Sequence, residues 1–182
     1  MHVACRICNA THDLEAREPS FLKPDPFLAV PPEERYFRTL DGKDSCAVRD
    51  ADETNPRYFL RVLMPFSVEG LSEPYSWGIW VEVSEAQHQR VNELWDDPSQ
   101  DHEPSFPARL ANKLHLYPGS ESLAGLVSLS GPGHIPHFHL TAPVTHPLAI
   151  EQRTGVSAAR AFEWVLPVYH PEVFIQWVTG AV

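Results

Sequence analysis

Residues 76–83 read SWGIWVEV, and residues 84–87 read SEAQ. In the first stretch Trp77, Ile79, Val81 and Val83 fall on one side and Trp80 and Glu82 on the other. Such alternation specifies a strand, here with one largely apolar face. Ser84 follows at once and Gln87 stands three residues later, the spacing of a capping box, so a helix begins where the strand ends. Val91, Leu94 and Trp95 share one face of that helix, and Pro98 with the acidic run around it stops it.

Working outward, residues 46–50 (CAVRD) and 57–64 (RYFLRVLM) read as two strands joined by a polar loop. Residues 123–130 (LAGLVSLS) and 136–142 (PHFHLTA) read as two more, separated by the turn-forming SGPGHI. The long connection 99–120 carries an expected short helix over 107–114. Pro147 suits a first helical position and Gly155 a C-terminal cap, predicting a helix over 147–153. Ser157 caps another, carrying Ala159, Phe162, Val165 and Leu166 and stopped by Pro167. A last short helix is expected from Pro171 to Val178, with Val173, Phe174, Trp177 and Val178 on one side. Pro19, Pro24, Pro26, Pro31 and Pro32 make residues 19–32 an extended arm, with a short helix opening at Pro32-Glu33-Glu34. The expectation is one α+β domain over residues 1–182. It has about five mostly antiparallel strands, helices on one face, and residues 1–46 as a knuckle and proline-rich arm packed on it.

The 182 residues, 43% hydrophobic and 21% charged, match one ordinary globular domain. Twenty-four acidic side chains against fourteen basic ones leave a formal charge of −10. Phosphate backbones and anionic lipid are bound by clustered Lys and Arg, so nucleic acid and membrane surfaces are excluded as expected partners, while a protein partner remains. No apolar run has membrane-spanning length. The N-terminus lacks the basic flank and apolar stretch of a signal peptide, and the odd set Cys5, Cys8 and Cys46 favours reduced thiols or metal ligands over disulfides. Both point to the cytoplasm.

Four motifs carry chemistry. Cys5-x-x-Cys8 with His12 presents two thiolates that can reach one zinc ion, with His12 and Cys46 as candidates for the remaining positions. Asn9 tolerates the left-handed turn that such a knuckle uses. The alternative is three unrelated thiols in a metal-free globular domain. In GHIPHFHL, His137 and His139 lie on one side of a strand, with His134 before them and His146 after. As an alternative reading these ligate the metal of a hydrolase with Glu151 as base, or they simply form a solvated strand face. His146 either caps the helix that starts at Pro147 or sits at a pocket mouth, with Glu151, Gln152 and Arg153 adding polar contacts. Trp77 and Trp80 point to opposite faces, one toward the core and one toward a ligand or partner. No nucleophile elbow, P-loop or dinucleotide glycine pattern is present.

These pieces come in a familiar order: the N-terminal CxxC with His12, Asp44-Ser45-Cys46, Tyr58-Phe59-Leu60-Arg61, Ser76-Trp77-Gly78-Ile79-Trp80-Val81, and residues 146–155 (HPLAIEQRTG). From about Cys5 to Phe162 the chain resembles the bacterial domain-of-unknown-function family 2199. The resemblance implies a single-domain bacterial cytoplasmic protein, brings no activity with it, and makes Cys5, Cys8, His12 and Cys46 look like one set. The chain departs from the family pattern at Asn9, where glycine is usual, in the charged residues 14–18, and in the His137-x-His139 pair. The resulting expectation is a module with a structural zinc at Cys5, Cys8, Cys46 and His12, and a binding surface around Trp80, His146, Glu151, Gln152 and Arg153.

Overall fold

Tyr75–Val83 forms the strand that its alternation predicts, antiparallel to Arg57–Phe66 in register from Tyr58↔Val83 to Phe66↔Tyr75. The computed structural model describes residues 1–49, 51, 56–142 and 145–172. Among these residues the strands are β1 (His2–Ala4), β2 (Thr11–Asp13), β3 (Thr39–Asp41), β4 (Ser45–Val48), β5 (Arg57–Phe66), β6 (Tyr75–Val83), β7 (Phe106–Leu110), β8 (Ala124–Ser128) and β9 (His137–Ala142). The helices are α1 (Asp25–Leu28), α2 (Arg35–Arg38), α3 (Glu85–Leu94), α4 (Pro147–Thr154) and α5 (Ala158–Tyr169). Asp50 of the expected strand 46–50, and residues 173–178 of the expected last helix, lie outside the described residues.

β1 and β2 pair as a separate hairpin, and the other seven strands form one sheet in the order β3-β4-β5-β6-β7-β8-β9. The sheet curls until β9 meets β5 in parallel at Leu63↔His137, where the Leu63 amide donates to the Pro136 carbonyl at 2.8 Å. β5 is long enough for one edge to serve two partners, β4 along residues 57–60 and β9 at Leu63. The result is an α+β domain with a barrel-like sheet.

The two faces of β5 and β6 divide the interior. Leu60, Val62, Met64 and Phe66 meet Trp77, Ile79, Val81 and Val83 in the main core. That core also takes Val91 of α3, Leu148 of α4, and Ala161, Phe162, Trp164 and Val165 of α5. On the opposite face Phe59 and Trp80 pack with Cys46, Val48, Phe27 and Val30 beneath the proline-rich arm. The arm also fills the open edge of β6. The Phe21 amide donates to the Gly78 carbonyl at 2.8 Å, and the Gly78 amide donates to the Pro19 carbonyl at 2.9 Å. A Cβ at Gly78 would come within 2.7 Å of Ser20 Oγ, so the glycine permits this crossing.

The capping reading holds in detail. Gln87 N–H donates to Ser84 Oγ, and the Ser84 amide donates to the Gln87 side chain. Ser157 caps α5, and Gly155 ends α4 with φ +79°. Two of the expected elements take a different form or length. Residues 106–110 form β7 rather than the start of a helix, because Ala108 and Leu110 turn into the core and the strand joins β6 to β8. α5 runs past Pro167 to Tyr169, since the proline sits close enough to the helix end for the last turn to close through His170 N–H to Leu166 O at 2.8 Å. β1, β2 and β3 were not anticipated.

Candidate metal centre

The knuckle between β1 and β2 is built from local turn chemistry. Asn9 takes φ 59°, and its amide donates to the Cys5 carbonyl at 3.0 Å. The Cys5 amide donates to Ala10 O at 2.8 Å, and the Ile7 amide donates to Cys5 Sγ at 3.4 Å. This turn presents both sulfurs to one side. β2 then carries His12 opposite Val3, and the ring packs against Tyr169 and Phe162 of α5.

The fourth group arrives from the far end of the described chain. His170 caps α5 and places Nε2 at 3.2 Å from Cys5 Sγ, while Cys8 Sγ lies 3.2 Å from His12 Nε2. One ligand atom from each of Cys5, Cys8, His12 and His170 lies within 4.8 Å of all the others. A tetrahedral ion with metal–sulfur bonds of about 2.3 Å and metal–nitrogen bonds of about 2.0 Å needs ligand separations of roughly 3.3–3.8 Å, so the four can hold a metal ion. Glu172 approaches the other ring nitrogen of His170, with Nδ1 to Oε1 at 3.1 Å, which directs Nε2 toward the sulfurs. Burial alone would raise the Cys5 thiol, but hydrogen bonding from the Cys8 and Ile7 amides, the Cys8 side chain and His170 brings its pKa down to about 7. A thiolate is the form that binds metal.

Cys46 does not join this group. It is buried on β4 against Phe59 and Trp80, where burial drives its thiol up to about 12. The set expected from Cys5, Cys8, Cys46 and His12 is thus corrected to one with His170 in place of Cys46. The reason is topological: β4 lies on the arm-covered face, whereas the end of α5 meets the β1–β2 hairpin.

The expected binding surface is taken up by packing. Trp80 is 0% exposed, and its indole N–H donates to Phe21 O at 3.0 Å. Its backbone amide donates to the buried Asn112, whose own amide group donates to Lys23 O, tying strand to arm. His146 caps α4, accepting from the Leu148 amide at 3.2 Å. Glu151 accepts from Arg160 Nε at 2.9 Å and from the Tyr117 hydroxyl, which also accepts the buried Trp164 indole N–H. Gln152 reads the edge of β9 as a strand would, accepting from Leu140 N–H and donating to Phe138 O, both at 2.8 Å. Arg153 alone of the five remains on an exposed rim, beside His139, at a cleft of about 200 Å³.

His137 and His139 share the side of β9 away from Phe138; burial and the nearby His137 hold His139 below its ordinary pKa. His134 turns back to Pro132 O at 2.9 Å. Among the described residues these three form no metal-holding group with a carboxylate. His170 escaped the sequence reading because a helix ended at Pro167 leaves it in the short link before the helix expected from Pro171. The signal that could have found it is its position at the foot of an apolar helix, followed at two residues by Glu172.

Residues 4–156 match the family described as an uncharacterized protein conserved in bacteria, DUF2199. The chain belongs to the DUF2199 family. The match includes Cys5, Cys8 and His12, and it ends before His170. Comparison with curated proteins and with solved structures gives no match. The family's recognisable strand and helix pieces acquire architectural roles here: Gly78 admits the arm, Trp80 anchors it, and Gln152 fastens α4 to β9. Among the described residues, no helix is long and apolar enough to cross a membrane.

Proposed function

We propose that this DUF2199 protein is a zinc-stabilised binding or regulatory module that works in the cytoplasm and meets a protein partner. The observation that carries the reading is the convergence of Cys5, Cys8, His12 and His170 within 4.8 Å. Two thiolates and two imidazoles suit zinc, and four protein donors complete its tetrahedron, as in structural sites, whereas catalytic zinc keeps a position open for water or substrate. The site joins the N-terminal hairpin to the foot of α5, so metal binding contributes directly to folding. The acidic balance of −10 disfavours nucleic acid and anionic membranes and leaves protein as the partner class.

Plasma mass spectrometry of the purified protein, beside a Cys5→Ser/Cys8→Ser variant, tests the reading. About one zinc per chain is expected in the wild type, with none in the variant. A strong chelator should lower the melting temperature of the wild type and leave the variant unchanged. Protein grown with ample zinc that carries no metal, or a variant that keeps it, overturns the proposal.

A further inference from the structure

The outer edge of the sheet carries a second, independent feature. Tyr36 is 97% exposed and Leu40 64%, and Leu22, Leu28 and Phe37 lie exposed in the same stretch of chain. Arg35 Nη2 donates to Leu28 O at 3.2 Å and Arg35 Nε to Val30 O at 3.0 Å, which tie the end of α1 to the start of α2. β3 is the terminal strand of the seven-stranded sheet.

The β3–β4 register shows what that edge offers. The Arg49 amide donates to Arg38 O at 2.8 Å, and the pairs Thr39↔Val48, Leu40↔Ala47 and Asp41↔Cys46 follow. In an antiparallel ladder hydrogen-bonded pairs alternate, so Leu40 bonds to β4, while the Thr39 carbonyl and the Asp41 amide face outward. The Thr39 amide is already spent on Arg35 O as the cap of α2. The Asp41 carbonyl faces outward as well, and the Thr39 carbonyl with the Asp41 amide, two residues apart, is self-complementary about a two-fold axis through Leu40.

Charge selects the occupant. Over residues 22–49, Lys23, Arg35, Arg38, Lys43 and Arg49 balance Asp25, Glu33, Glu34, Asp41 and Asp44. The formal charge of −10 therefore lies on the rest of the chain. A basic partner would be drawn to that remainder, whereas a second copy meets less repulsion at this charge-balanced, apolar stretch of residues 22–49 than at the rest of the chain.

We propose that two copies of this chain associate through the outer edge of β3 and the exposed face of α2. The two β3 strands run antiparallel, Asp41 N–H of each copy donates to Thr39 O of the other, and the Leu40 side chains meet at the axis under Tyr36 and Phe37. This association does not depend on the metal centre.

Light scattering coupled to gel filtration tests it, over loading concentrations from about 1 to about 500 µM, the range in which modest interfaces populate. The wild type should move from 20.5 kDa toward twice that mass, and at lower concentration when salt screens the acidic remainder. Leu40→Lys and Tyr36→Lys should each weaken association by about tenfold or more, since each places charge at the contact. Tyr36 is so exposed that its variant must fold. Leu126→Lys, an exposed apolar position on β8, should dimerise like the wild type. A wild type monomeric throughout, a dimer that survives both edge variants, or a dimer equally lost in Leu126→Lys each overturns the proposal.

Discussion

Three cysteines in one small chain have two different fates, decided by their surroundings. Cys5 lies among amides and His170 that favour its thiolate, whereas Cys46 lies against aromatic carbon that favours the thiol. In protein stripped of metal at pH 8, a thiol reagent should modify the exposed Cys8 first, the buried Cys5 once the hairpin opens, and Cys46 only on global unfolding, as cysteine-resolved mass spectrometry would show. Burial raises Cys46 from 9.0 to about 12, so its contribution to stability is complete below pH 9 and is lost as pH rises toward 12. Denaturant melts of the wild type and Cys46→Ala should therefore converge across that alkaline window. Glu172 contacts His170, and at the proposed zinc site Glu172→Gln should weaken metal binding by about ten- to hundredfold, measured by competition with a chromophoric chelator. The CxxC-x-x-x-H knuckle and the turn at Asn9 were legible from local spacing. Trp80 was misread as a surface residue, because alternation identifies opposite faces of a strand and not what covers each.

At the scale of elements, the capped helices were the most legible parts. α3, α4 and α5 begin where Ser84, His146 and Ser157 place them, because an N-cap is a contact among near neighbours in sequence. β7 was not legible, since a short stretch containing a proline becomes a strand only when β6 and β8 stand beside it. The β8–β9 pair depends on a glycine for space: a Cβ at Gly125 would lie 2.4 Å from Phe138 Cζ and 2.5 Å from the His139 carbonyl oxygen. Gly125→Ala should cost about 3 kcal/mol in a urea melt, at the upper end of overpacking penalties, because one of the two obstacles is backbone. Gln152 bridges α4 and the β9 backbone with both ends of its amide. Gln152→Glu sets a carboxylate against the Phe138 carbonyl. It should speed hydrogen exchange at the Leu140 amide well beyond that at amides of the β5–β6 pair, read residue by residue by NMR.

For the whole molecule, the four-donor cluster brings together parts 165 residues apart, from Cys5 to His170, and an ion held there would clasp them. A link that closes so long a loop restricts the unfolded chain strongly. If the cluster holds zinc as proposed, His170→Ala should lose it and fall in stability by several kcal/mol, while Cys46→Ala keeps a full complement of metal; elemental analysis and calorimetry on the same samples separate the two. The sequence alone determined whatever rests on short-range order: the α+β class, the β5 and β6 strands, the helix starts, the knuckle, and membership of a family recognisable from its strand and helix pieces. Tertiary structure alone decided closure of the sheet through β5 and β9, burial of Trp80 beneath the arm, and exchange of Cys46 for His170 in the ligand set. Spacing and periodicity encode relations between neighbours along the chain, but metal ligands are chosen by distance in space. That distance depends on which face of the sheet each distant segment covers.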